Sequence, residues 1–482
     1  MPSNHFALVD HLKRARFLQP NVPFQPRSLP LFYGWVILGA TSLGLLMSIP
    51  GQTAGVSVFT DDLIAATGLS RLGLSSAYLI GTITSGLLLP FGGVLLDRLG
   101  ARLVVIVSAL WLGLTLVYLS LSDRLAAWIA GAMPLDPVAI AFVVLCVGFV
   151  NLRFSGQGML TMVSRITLGK WFNRRRGMAA SIAGLFAAFG FSAAPLLLSF
   201  TIDALGWRGA WLALAAGVGV GMSAIGWLLY RDNPEECGLA MDGTAPIPVA
   251  PSSAIAGPTV AATDKAVDKA AGKATRPSGG PPEIAARRDF TRAEALRTLA
   301  FWAASLALAS QALSVTGITF HIVDIGAAVG LPEKQVVTLF LPIAGVSTLV
   351  GWLAGVASDR IALKRLFVTM MVFEAAGIVG MAHLDSLPLQ LMAIAGLGVS
   401  GGCFGTLSTV TLPRYFGRQH LGAIAGVEMM ILVIASAIGP SLLALFDRLF
   451  SNYRPGLYLC AALPLSIIVL LLPMRPPHQG AS

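Results

Sequence analysis

Charge is scarce in this chain. Asp, Glu, Lys and Arg together make up 12% of its 482 residues, about half the share expected of a soluble domain, which excludes an ordinary water-soluble fold. Cysteine is scarcer: Cys146, Cys237, Cys403 and Cys460 are far apart and follow no metal-ligand or redox spacing, so they read as small apolar packing residues. Missing too are a nucleophile with a base and a third group at credible spacing, a metal-ligand cluster and a phosphate-binding loop, so neither an enzyme nor a cofactor is expected. Short alternating apolar segments are absent as well, which argues against a transmembrane β-barrel.

What the chain has is oil. Hydrophobic residues make up 55% of it and the mean hydropathy is +0.77. Apolar stretches of the roughly 20 residues needed to cross a bilayer recur along nearly the whole length. Their centres fall near 45, 85, 110, 153, 190, 218, 311, 347, 374, 400, 435 and 464, which predicts an all-α membrane protein of twelve transmembrane helices.

The net charge of +10 points to topology and not to a nucleic-acid partner. Twelve Lys and Arg lie in the even-numbered connections, Arg98, Arg102, Arg174, Arg360 and Lys364 among them; six lie in the odd-numbered ones, such as Arg71, Arg124 and Arg208. Basic loops stay in the cytoplasm, so both termini are expected there, in a bacterial inner membrane. Residues 1–31 carry Lys13, Arg14 and Arg16 without an apolar block and cleavage site, and read as a cytoplasmic tail, not a signal peptide. Residues 475–482 form the matching C-terminal tail.

Between 240 and 289 the composition turns to Pro, Ala, Gly and Lys, a stretch unable to bury a core and expected to be a disordered linker. It separates bundle 32–239 from bundle 290–474. Thr291 and Glu294 have capping-box spacing at the start of the second bundle. One offset of 262 residues aligns Gly55, Asp62, Gly68, Leu69, Gly93, Asp97 and Arg98 with Gly317, Asp324, Gly330, Leu331, Gly355, Asp359 and Arg360. A looser correspondence pairs GKWFNRRRGMAASIAG, from 169, with PRYFGRQHLGAIAG, from 413. A duplicated six-helix unit follows, and such repeats enclose a central site about which they rock.

GGVLLDRLGAR at 92–102, with its weaker copy GVASDRIALKR from 355, resembles the cytoplasmic signature of the major facilitator superfamily. The resemblance covers all twelve spans and implies two pseudo-symmetric six-helix bundles. It also implies that Asp97, Arg98, Asp359 and Arg360 latch the cytoplasmic side. FYGW at 32–35, KWFNRRRGMAASIAG from 170, RDNPEECGLAMDG from 231 and FTRAEALRTLAFW from 290 look like the bacterial monocarboxylate porter and oxalate–formate exchanger branch. One departure matters: residues 335–358, the eighth helix, carry no charge, where carriers of lactate or oxalate in that branch place a basic residue.

The candidate site starts from Arg153, a permanent charge inside VGFVNLRFSGQGML. An unpaired arginine at mid-bilayer costs on the order of 3 kcal/mol, so it is expected to face an internal cavity and pair there with an anionic solute, or else to be tied to backbone carbonyls. Gln157 lies one turn on. Pro50 and Gly51 interrupt the first helix beside Gln52 and Thr53, and Gln311 lies in the seventh; these four are expected to orient the solute. His321 and Asp324, one turn apart, form a candidate proton port, against the simpler reading of a packed histidine. Glu374 either carries protons or bonds a neighbouring helix. Arg165 and Glu428, at similar depth, are expected to pair as an inner gate.

Together these predict a monomeric secondary transporter of a small organic anion, a monocarboxylate in particular, with proton symport. The alternatives are a proton-coupled exporter of amphipathic compounds, with IGPSLL from 438 for it and GFSAAPLLLS from 190 against it, and a non-transporting nutrient sensor.

Overall fold

In a bilayer the backbone finds no water to bond, so apolar runs satisfy themselves as helices. The computed structural model describes residues 18–132, 134–243 and 289–477; most of the linker and of both expected tails lies outside the described residues. Among the described residues eleven helices are long and apolar enough to cross a membrane. One of them runs 54 residues, Arg176–Leu229, about 80 Å at 1.5 Å per residue and too long for a single crossing. It folds back at Gly206, whose φ of 71° and ψ of 162° suit glycine and few other residues.

The twelve helices are therefore α1 Gly34–Gly51, α2 Arg71–Leu99, α3 Ala101–Ser120, α4 Pro137–Trp171, α5 176–205, α6 207–229, α7 Leu299–Ala327, α8 Glu333–Ser358, α9 Leu363–Ala382, α10 Leu387–Tyr415, α11 Leu421–Phe450 and α12 Arg454–Leu471. Each expected centre falls inside its helix. Short helices add to them, the longest being Thr60–Thr67 and Ser122–Ala132; they are too short to span and gave no transmembrane signal. Polar side chains start several elements: Ser70 accepts from Gly73 N and Asp136 from Val138 N, and Thr291 with Glu294 forms the reciprocal capping box the spacing predicted.

The two halves meet where α2 packs on α11 and α5 on α8. Small residues make this approach possible. A Cβ on Gly93 would come within 2.0 Å of Gly422 O, and one on Gly355 within 2.5 Å of Gly177 O.

At this end of the molecule, called here the latch end, the Asp97 carboxylate accepts Gly422 N and Ala423 N, both at 2.7 Å. Asp359 accepts Gly177 N at 2.9 Å and Met178 N at 3.4 Å. Each acid thus caps the first turn of a helix in the opposite bundle, where orphan amides and the helix dipole favour negative charge. Arg98 and Arg360, the next residues, are exposed.

Candidate functional site

Inside the latch, between the bundles, lies a cavity of about 540 Å³ lined by α1, α4, α5, α7, α8, α10 and α11. Gln52, Thr53, Gln157 and Gln311 all reach its wall, brought together from three helices. Among the described residues Arg165 is the one charged side chain on that wall.

Two irregular helices build the polar part. At Pro50 and Gly51 helix α1 passes through a 3-10 turn, Ile49–Gly51, and an extended Gln52 before a short helical turn, Thr53–Ser57. The break turns Gln52 inward, where its Nε2 donates to Ser48 Oγ at 3.2 Å and Thr161 Oγ1 at 3.3 Å. Opposite the break, α4 widens into a π-helical stretch, Arg153–Leu160, a feature frequent at functional sites. Gln157 Oε1 is buried there without a hydrogen-bond partner, an acceptor that a bound solute or water can satisfy.

Arg153 does not line this cavity. It lines a second one, an outer cleft of about 260 Å³ on the side away from the latch. Its Nη1 donates to Gly51 O at 3.0 Å, its guanidinium carbon lies 5.2 Å from the centre of the Tyr78 ring, and only 2% of the residue is exposed. Thr53, Thr316 and Ser436 belong to both walls, so they form the rim between cleft and cavity.

Beneath the central cavity a void of about 20 Å³ is lined by Arg165 and Glu428, with Thr409 and Met429 shared between the two walls. The two charges act on each other electrostatically without forming a direct ion pair, and Glu428 Oε1 is buried with no hydrogen-bond partner.

The remaining candidates stand apart. Glu374 is fully buried in the second bundle, where Oε1 accepts from Ser310 Oγ at 2.8 Å and Oε2 has no partner. His321 sits at the open end, its Nε2 3.0 Å from Pro440 O and its Nδ1 3.7 Å from Asp324 and 3.5 Å from the Tyr453 hydroxyl. Helix α7 departs from helical geometry at this residue (φ −111°, ψ 16°).

Sequence reasoning missed a set of latch-end contacts. Arg418 of the second bundle reaches Glu235 at 2.9 Å and Lys170 O at 3.0 Å in the first. Asp242 accepts Asn173 N and Arg174 N, and Asp289 accepts Arg418 N and Gln419 N. Both acids border the linker and cap equivalent loops ahead of α5 and α11. The one signal was RDNPEECGLAMDG itself, an acidic, glycine-punctuated stretch after an apolar helix.

The family description of the Major Facilitator Superfamily matches residues 36–355, two thirds of the chain. The chain belongs to the major facilitator superfamily. Its members are transporters of small molecules, so this is a multi-pass membrane transporter and not an enzyme. Monocarboxylate transporter 11 of Mus musculus is 25% identical over 403 residues, 80% of this chain and 76% of that protein. Monocarboxylate transporter 2 of Mesocricetus auratus is 26% identical over 189 residues, 38% of this chain. That match spans about a third (34%) of the transporter 2 sequence. A solved proton:xylose symporter, XylE, superposes with a TM-score of 0.58 at 15% identity, covering 91% of this chain and 95% of that one; this likeness concerns the fold.

Proposed function

We propose that this superfamily member carries a small organic anion, a monocarboxylate, across a bacterial inner membrane by alternating access and proton symport. The observation that carries the reading is Arg165: one guanidinium on the wall of a cavity otherwise neutral among the described residues, a wall to which Gln52, Gln157 and Gln311 also belong. A forked cation suits a carboxylate, which takes two parallel N–H donors. The monocarboxylate transporter relatives favour the same solute class.

Charge balance argues for the proton. Arg165 and Glu428 together are neutral; an anion on Arg165 leaves one uncompensated negative charge in the middle of the membrane, which is costly. Protonation of Glu428 restores neutrality, so the loaded carrier changes face without net charge. Glu374 and the His321–Asp324 pair are the further proton sites, one inside the second bundle and one at the open end. Basic loops favour placing the latch end in the cytoplasm, with the Asp97–Arg98 and Asp359–Arg360 hairpins setting the balance between open faces. On this reading the structure faces outward, and the carrier works as a monomer.

The test is uptake of radiolabelled lactate, pyruvate and formate by proteoliposomes under an inward proton gradient. Gradient-driven uptake of at least one is expected. If none enters, and apolar compounds instead stimulate proton release, the exporter reading replaces this one.

A further inference from the structure

Arg153 is a buried cation without an anion. Among the described residues no carboxylate pairs with it: its Nη1 donates to one main-chain oxygen, Gly51 O, Tyr78 offers its ring and a neutral phenol as a further partner, and its Nε has no hydrogen-bond partner. A main-chain oxygen offsets part of a guanidinium's desolvation but supplies no opposite charge, and an uncompensated buried charge is the costly case. The residue nonetheless lines a cleft with room for a guest.

The cleft has its own chemistry. Its mouth is exposed, with Leu72 78% and Phe320 57% accessible, and its inner wall holds Tyr78, Phe149 and the hydroxyls of Thr53 and Ser436. Apolar and aromatic walls with one cation at depth fit a carboxylate carrying an apolar body: the carboxylate toward the Arg153 guanidinium, the body along Phe320 and Leu72. Arg153 and Arg165 lie twelve residues apart on one helix, less than about 18 Å, since the π-stretch rises less than the α-helical 1.5 Å per residue. The rim of Thr53, Thr316 and Ser436 separates their two compartments.

From this geometry we infer that the outer cleft is a second anion site, in which Arg153 holds an apolar carboxylate before, and independently of, its arrival at Arg165. The inference shares the anion reading of the central cavity but concerns a different compartment. An anion arriving from the open end meets a cation deep in the cleft, crosses the hydroxyl rim and meets a second cation in the cavity. Two stations on one helix divide the desolvation of a carboxylate into two steps, each with its own guanidinium. The bland alternative, that Arg153 only staples the break in α1 to α4, accounts for the Gly51 bond and leaves both the unpartnered Nε and the cleft without a role.

The experiment isolates the outer site by removing the inner cation. Full-length protein with Arg165→Gln, purified in detergent, is titrated with tritiated benzoate in a scintillation proximity assay. Benzoate binding is expected to persist in Arg165→Gln and to be lost when Arg153→Gln is added. Because Arg153→Gln also cuts the Gly51 bond, Phe320→Ala in the same background is the second variant. It lies on α7, outside the bond between Arg153 and Gly51, and is expected to weaken benzoate about tenfold, the effect of losing much of an aromatic contact, with an unchanged melting temperature.

Loss of all binding in Arg165→Gln overturns the outer site while leaving the central reading intact. Binding that survives Arg165→Gln with Arg153→Gln, or that ignores Phe320→Ala, overturns it too, as does failure of the wild-type protein to bind benzoate. Persistence of the outer site in a protein that moves no monocarboxylate would sink the transport reading alone.

Discussion

Gly51 of α1 and Gly156 of α4 lie backbone against backbone: a Cβ on Gly51 would sit 2.7 Å from Gly156 Cα, and one on Gly156 2.8 Å from Gly51 Cα. The break in one helix nests into the π-stretch of the other, and the Arg153 bond to Gly51 O closes the joint. This joint is what turns Gln52 and Gln157 into the cavity.

Gly51→Ala should therefore cost about 1–3 kcal/mol, the usual penalty of overpacking a filled contact. The expected outcome is a lower melting temperature in detergent together with lost uptake. Gly39→Ala is the control, since nothing lies within 4 Å of a Cβ there; both properties should match wild type. An unaffected Gly51→Ala protein would show that the helices are free to part.

The architecture was readable because hydrocarbon leaves helices few alternatives, so all twelve apolar centres land in helices. Pro50 and Gly51 likewise announced the break. The placement of Arg153 was not readable, for a specific reason. In a regular α-helix residues four apart share a face, which puts Arg153 and Gln157 together. The shared face does not mean a shared compartment: the two residues stand a turn apart in depth along α4, and the wall between compartments falls between them, so Arg153 lines the outer cleft and Gln157 the central cavity. No pattern of residue types signals where one compartment ends and the next begins, and Arg165, at the end of the apolar run, looked like a gate residue and not a wall of the cavity.

Arg165→Gln should reduce lactate uptake at least about tenfold, the loss of a charge-assisted pair, at unchanged surface abundance. Glu428→Gln should act differently. Removal of the titrating group leaves the anion site intact, so counterflow exchange of lactate continues while accumulation driven by a proton gradient disappears. Loss of both activities together would place Glu428 in folding or binding and not in coupling.

The latches carry a pH dependence. Burial pushes the Asp359 carboxyl above its ordinary value, opposed by the amides of Gly177 and Met178. An acid with a raised value in the latched state holds its proton more tightly there than when solvated, so parting the bundles releases it. Latching should strengthen as pH falls from neutral through the range between the solvated and latched values, and weaken as pH rises through it. Spin labels on α5 and α8 at the latch end should report a larger closed fraction at acidic pH, and Asp359→Asn should flatten that dependence. A pH response that survives Asp359→Asn assigns it to another group.

Arg418 and Glu235 make a further contact between bundles at this end, 2.9 Å apart and partly solvated, with side chains 30% and 52% exposed. Such a pair contributes about 0.2–1 kcal/mol and is screened by salt. Its effect should thus be kinetic and modest: Glu235→Arg or Arg418→Glu alone should shift the open-to-closed balance a few-fold, with the difference shrinking at high ionic strength. The double reversal, Glu235→Arg with Arg418→Glu, should recover most of the loss from the reversed pair. Recovery will be incomplete, because Arg418 also donates to Lys170 O and a glutamate cannot. That residual separates the two bonds: exchange rates of the double variant that match wild type would mean the carbonyl contact contributes nothing, and rates no better than the single variants would mean the ion pair does not.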